Sequence, residues 1–162
     1  MRKHLRKVLR ALPSVAMAIG LISVVVPAQN SEHICFLTVA KLAESGHPER
    51  RNYVINDRAE WEELWAKVGS SVSPNLPMPE IDFTRRTVIA VFQGSEPMSG
   101  FEVVISEINK ADGGIKVIVK ETINTHCGGT GSITRPFHIV EIEKQEQAEV
   151  EFKFKHKEKR CP

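Results

Sequence analysis

Thr87-Val88-Ile89-Ala90-Val91-Phe92 is the stretch on which the fold turns. Apolar residues fall on both of its faces, the pattern of a central strand rather than of one lying on a surface. Downstream, Phe101, Val103 and Ile105 alternate with Glu102, and Asp112-Gly113-Gly114 is a strong hairpin signal leading into Ile115, Val117 and Val119, which alternate with Lys116 and Lys120. Ile133 to Ile142 reads as a further strand, and Pro136 inside it predicts an edge or a bulge. Val150, Phe152 and Phe154 alternate with Glu149, Glu151, Lys153 and Lys155, which predicts a half-buried antiparallel strand. Upstream, residues 33–43 read as a strand, Ser45-Gly46-His47-Pro48 as a turn and Tyr53-Val54-Ile55 as a return strand, so an opening hairpin is expected.

One helix signal stands among these strands. Asp57 can cap a first turn and Glu60, three residues on, can complete a capping box. Trp61, Leu64, Trp65 and Val68 follow at helical spacing as one apolar stripe, Glu63 and Lys67 are placed for an ion pair, and Gly69 suits the C-terminal end. Residues 70–79 form a Ser/Pro-rich connector. One helix cannot build its own core, so its stripe must bury on a sheet. The fold class is α+β, mainly antiparallel β: a small sandwich or half-barrel of about seven strands with one packed helix.

At 162 residues the chain has room for one domain, and 41% apolar with 26% charged residues places it among globular proteins. Its formal charge of +2 is unevenly spread. Arg2, Lys3, Arg6, Lys7 and Arg10 precede an apolar run from Ala11 to Pro27, and Val26-Pro27-Ala28 fits a small-residue cleavage site. Residues 1–28 are therefore expected to be a signal peptide, with 29–162 a single β-rich domain, periplasmic or secreted. An uncleaved anchor is the competing reading, and the run is at the short edge of the roughly 20 residues a span needs. Without those five basic residues, 17 basic residues face 20 acidic ones. A mature charge of about −3 gives no reason to expect nucleic acid or an anionic membrane as partner.

Export permits a disulfide, and the three cysteines allow one bridge at most. Cys127 in a Gly-rich loop and Cys161 at the chain end are the favoured pair, with Cys35–Cys161 as the alternative. Cys35 lies in a strand-like run where it would pack as a small hydrophobe.

The residues that could carry chemistry do not assemble. His126 and Cys127 are adjacent, so on an extended segment their side chains point apart. No CxxC, HxH or HExxH occurs, and no metal is expected. Asp82, Glu96 and Glu102 are carboxylates without an evident common cleft. Gly128-Gly129-Thr130-Gly131 lacks the Lys-Ser/Thr of a phosphate loop, so no cofactor is expected. The basic tail, Lys153 to Arg160, reads as a solvated strand face or an electrostatic docking surface. Two segments instead suit a protein partner. Glu96-Pro97-Met98-Ser99-Gly100-Phe101 sets Met and Phe around turn residues, and Arg135-Pro136-Phe137 sets Arg beside Pro and an aromatic. Arg and aromatics anchor protein interfaces, and Met packs adaptably. The competing reading is that Phe101 and Phe137 begin strands and point inward.

The order of these pieces resembles the C-terminal domain of the PrcB family of protease-complex subunits. The matching pieces are Glu60-Trp61-Glu62-Glu63-Leu64-Trp65, Ile81-Asp82-Phe83, Val88 through Gly94, Pro97-Met98-Ser99-Gly100-Phe101 and Pro136-Phe137-His138-Ile139-Val140, spanning about Tyr53 to Phe154. The family usually shows Pro-Thr-Gly-Gly-Tyr where this chain has Pro97-Met98-Ser99-Gly100-Phe101, which implies a different partner if that loop makes the contact. The resemblance implies an exported, non-catalytic accessory protein that assembles with or stabilises a partner protease. A weaker likeness is to chagasin-type cysteine-protease inhibitors, whose three loops are echoed by Glu96 to Gly100, Gly128-Gly129 and Arg135-Pro136-Phe137, without the usual Thr-Thr pair. That likeness implies a protease inhibitor of loop-wedge type. An uncharacterised structural protein of the cell envelope is the remaining alternative.

Overall fold

The computed structural model describes residues 32–72, 77–111, 113–124, 131–145 and 148–159. The expected leader, His126 with Cys127, Gly128 to Thr130 and Cys161 lie outside the described residues. Strands β1 (Phe36–Leu42) and β2 (Arg51–Ile55) precede the helix α1 (Arg58–Val72), which is followed by β3 (Arg86–Phe92), β4 (Glu102–Ala111), β5 (Gly114–Ile123), β6 (Phe137–Glu143) and β7 (Glu149–Glu158). They form a four-stranded sheet in the order β1-β6-β3-β2 and a three-stranded sheet in the order β4-β5-β7. The mainly antiparallel α+β architecture read from the sequence is therefore present. Among the described residues no helix is long and apolar enough to cross a membrane.

The helix forms where its capping signal stands. Asp57 Oδ1 accepts the Glu60 amide at 3.0 Å, and Lys67 reaches Glu63 at 2.7 Å. Trp61, Leu64, Trp65 and Val68 are all buried, against Val88, Ala90 and Phe92 of β3 and Phe137 and Ile139 of β6. The alternate residues of the same strands, Ile89, Val91, Val140 and Ile142, face the second sheet and pack on Val103, Ile105, Ile108, Val117 and Val119. The two apolar faces of residues 87–92 thus each meet a different layer. The helix runs to Val72 and passes through Gly69, because the turn at Ser45-Gly46 packs on its last turns: the Gly46 amide donates to the Val68 carbonyl at 3.2 Å. A Cβ on Gly46 would overlap Ser70 Oγ and the Lys67 carbonyl, so that close approach requires glycine.

Four expectations are corrected. β1 and β2 do not form a hairpin; β1 pairs with β6 and β2 with β3, which puts them at opposite edges of one sheet. β6 is an inner strand, flanked by β1 and β3. Pro136 is tolerated because it precedes the strand, where it needs to donate nothing and its carbonyl accepts the Gln93 amide at 3.0 Å. β7 pairs with β5 in parallel, since side-chain alternation is the same for either direction. Cys35 is exposed with a free thiol rather than packed as a hydrophobe.

His138 ties the two sheets together. Its ring lies between them, with Nδ1 accepting the Ile105 amide of β4 at 2.9 Å and Nε2 3.0 Å from the Thr38 hydroxyl of β1. An acceptor at Nδ1 requires the neutral ring, so Nε2 carries the hydrogen and donates to Thr38. Burial pushes the His138 pKa down to about 4, with nearby Lys41 acting in the same direction. Below about pH 6.5 the unfolded chain therefore binds a proton that the folded chain refuses. The stabilisation is present in full above pH 6.5 and fades as the pH falls toward 4, by up to about 3 kcal/mol. Urea unfolding at pH 7 and pH 4.5 is expected to show this loss for the native chain. His138→Gln is expected to be less stable at pH 7 and to lose correspondingly less between the two pH values.

Candidate functional site

The two segments singled out for partner binding come from distant parts of the chain, and the fold joins them. Glu96 and Thr134 exchange backbone hydrogen bonds at 2.8 and 3.0 Å, an isolated antiparallel bridge between the loop after β3 and the segment before β6. The Thr134 hydroxyl donates to the Met98 carbonyl at 3.0 Å, and Arg135 Nε donates to Ser95 Oγ at 3.1 Å. Asn124, at the end of β5, donates from Nδ2 to the Ser99 carbonyl at 2.7 Å. Gly100 has a φ of +97°, and a Cβ there would meet that same amide, so the loop crosses Asn124 only with glycine at this point.

A third segment underlies both. The Arg135 amide donates to the Ala43 carbonyl at 2.9 Å, Ser45 Oγ donates to the Arg135 carbonyl at 3.1 Å, and the Ser95 amide donates to the Pro48 carbonyl at 3.0 Å. Beneath lies an aromatic stack in which His47 faces Phe92 at 4.5 Å and Phe92 faces Phe137 at 5.6 Å. His47 Nδ1 donates to the Glu49 carbonyl at 3.0 Å, and Nε2 accepts the Tyr53 hydroxyl at 2.6 Å. Burial lowers the His47 pKa, which keeps this ring neutral too.

The named residues therefore divide. Phe137 is fully buried in the helix-side core and Pro136 is buried, so neither side chain presents a surface; they position the segment rather than project from it. Pro97 is exposed, and Glu96, Met98, Ser99, Gly100, Phe101 and Arg135 are half-exposed on one continuous face. Ile133, which the sequence did not mark, is 56% exposed and adjoins them. The Gly128-Gly129 loop, the third element of the inhibitor likeness, lies outside the described residues.

An ion cluster flanks this face. Glu121 of β5 points into the gap between the sheets and its side chain is 2% exposed. Arg50 Nη2 binds both of its carboxylate oxygens, at 2.5 and 2.6 Å, and His156 Nδ1 lies 3.1 Å from Oε2. The Arg50 guanidinium also sits over the Phe154 ring, 5.2 Å from its centroid. Glu96 is nearby, and burial raises its pKa against the opposing pull of Arg50. Arg50 thus links the loop before β2 to both β5 and β7. No local signal in the sequence marks it, because its partners Glu121 and Phe154 are distant along the chain.

Asp82, Glu96 and Glu102 do not converge. Asp82 accepts from the Thr84 amide and hydroxyl at 3.1 and 2.6 Å, and Glu102 pairs with Lys41 at 2.7 Å. Among the described residues no group of three or more His, Cys, Asp and Glu is arranged to hold a metal.

The fold joins these segments into one loop face at one end of a helix-backed β-sandwich. Residues 87–143 match the family model described as PrcB C-terminal, and over that span the resemblance read from the sequence is borne out. The match runs from β3 through β6 and contains both segments that the sequence marks as suited to a protein partner. No curated protein and no solved structure matches the chain.

Removing Arg50 would leave Glu121 buried and unpaired apart from His156. Arg50→Ala is expected to destabilise by an amount near the lower end of about 3–5 kcal/mol, because Arg50 itself is half exposed. Phe137→Ala is expected to cost about 3–5 kcal/mol as a core cavity. Met98→Asp should leave stability within about 0.5 kcal/mol. Denaturant unfolding of the three variants checks all of these.

Proposed function

We propose that the chain is an exported, non-catalytic accessory protein that assembles with or stabilises a partner protease through the loop face around Met98 and Arg135. The carrying observation is the Glu96–Thr134 bridge, which makes one pre-ordered surface out of two segments that lie far apart in sequence. A surface whose backbone is already fixed loses little entropy on binding, and a Met, an Arg and an aromatic are suitable anchors. The PrcB C-terminal match supports a protease complex as the setting, and its boundaries enclose this surface. The basic, then apolar, start of the chain supports export to the periplasm or beyond. The non-Thr centre of the 97–101 loop favours a partner different from that of chains with the usual sequence.

A second reading, inhibition by a loop wedge, is favoured by the adjacency of the 96–100 and 135–137 segments on one end of the sandwich. Assay of the protein against papain-like proteases separates the two: an accessory subunit leaves their turnover unchanged, and an inhibitor suppresses it.

The direct test is a crosslinking pull-down from the native cell envelope, with the native chain and a Met98→Asp, Arg135→Ala variant as baits. A protease recovered by the first and lost by the second is the expected result. Equal recovery by both baits, or recovery of no protease by either, would remove the loop face as the contact.

A further inference from the structure

The last strand contains Glu149-Val150-Glu151-Phe152-Lys153-Phe154-Lys155, whose charges are antisymmetric about Phe152. Among the described residues β7 is the outer strand of its sheet and is paired with β5 alone, in unbroken register from Glu149 to Glu158. It has no bulge and no proline, two of the devices that protect an edge from further pairing. Glu149, Glu151, Lys153 and Lys155 stand exposed on the outer face. Val150, Phe152 and Phe154 pack on the core from the inner face, yet each remains half-exposed, because no strand lies beyond them among the described residues.

We propose that this edge pairs antiparallel with the same edge of a second copy of the chain, with Phe152 on the two-fold axis. In that register Glu151 faces Lys153 of the partner subunit, and Glu149 faces Lys155 of the partner subunit. On the inner face Phe152 meets its own counterpart, and Val150 meets Phe154 of the partner subunit. Opposite charges and aromatic or branched pairs directly across two strands are the stabilising combinations.

The alternatives are each worse. A one-residue slip sets the phenylalanines against the lysine face. A two-residue shift sets Lys153 against Lys153. Parallel pairing sets Glu against Glu and Lys against Lys. A uniformly acidic partner strand would satisfy the lysines but oppose Glu149 and Glu151, so the pattern favours a second copy. The contact is isologous and closes as a dimer, joining two three-stranded sheets into one. A strand pair buries less than the roughly 1,600 Å² of a standard interface, so the dimer forms with rising concentration. It leaves the loop face free, since Phe152 is level with Val117 in the middle of β5.

Sedimentation of the full chain in a reductant, which removes any Cys35 crosslink, tests the pairing. Three proteins are compared: the native chain, a Glu149→Lys, Glu151→Lys variant and a Lys153→Glu, Lys155→Glu variant. The native chain is expected to dimerise as concentration rises, each variant alone to dimerise at least about tenfold more weakly, and an equimolar mixture of the variants to recover dimer. All changes are on exposed positions, and matching circular dichroism confirms folding. The first variant also loses the Lys116–Glu151 ion pair (3.2 Å), which the second keeps, so weakening in both isolates the edge. All three chains carry the same residues 1–31, so association through that segment would be equal in each. A native chain that stays monomeric, three proteins that associate alike, or a mixture that fails to recover dimer would each overturn the proposal.

Discussion

Strands β3 and β6 are buried on both faces, under the helix on one side and the second sheet on the other, and the loop end of the molecule depends on this double burial. The two strands run antiparallel with Phe92 paired to Phe137, so their ends at that point are held together by the core itself. The segments that leave there, after Phe92 and before Phe137, have nowhere to diverge, and the Glu96–Thr134 bridge continues the pairing for one more step outside the sheet. A stiff surface at this end is thus a consequence of core packing rather than of the loop sequences alone.

Polar contacts join the second sheet to the first alongside the apolar packing. His138 spans from β6 to the β4 amide of Ile105, beside the register shift in β4. Arg50 spans from the loop before β2 to Glu121 of β5 on the opposite side. Both are interactions in which one buried partner has no substitute: an amide that the β4 edge leaves unpaired, and a carboxylate that the sheet turns inward. Each restricts how far the sheets can slide, which is why the loop face and the ion cluster beside it keep a fixed relation.

What the sequence disclosed follows from which signals are local. The helix, its cap, its buried stripe and the hairpin at Asp112-Gly113-Gly114 are set by residues within a few positions of one another, and the structure has them. The two-faced strand at 87–92 was legible because alternation was missing. Strand partners were not legible: nothing in residues 33–55 tells β1 to cross the sheet to β6, and β7 alternates identically whether its neighbour runs parallel or antiparallel. Pro136 suggested an edge because a proline inside a ladder removes a donor, but the strand begins at Phe137 rather than at Ile133, so Pro136 lies just before an inner strand. At the site, Met98 and Arg135 could be picked individually as interface types, whereas their adjacency rests on Thr134 and Asn124, ordinary polar residues whose importance is only spatial. Phe137 was drawn toward the surface by its Arg-Pro neighbours, and the core took it.

The central claim is that the face formed by the 96–101 and 134–135 segments is where a partner protease is met. Photo-crosslinking in the native cell envelope tests it most directly, with a benzoylphenylalanine placed at Met98 in one protein and at the more exposed Leu37, on the edge strand β1, in another. The account predicts a crosslink to a protease from position 98 and none from position 37. A protease captured from position 37 but not from 98 would contradict it.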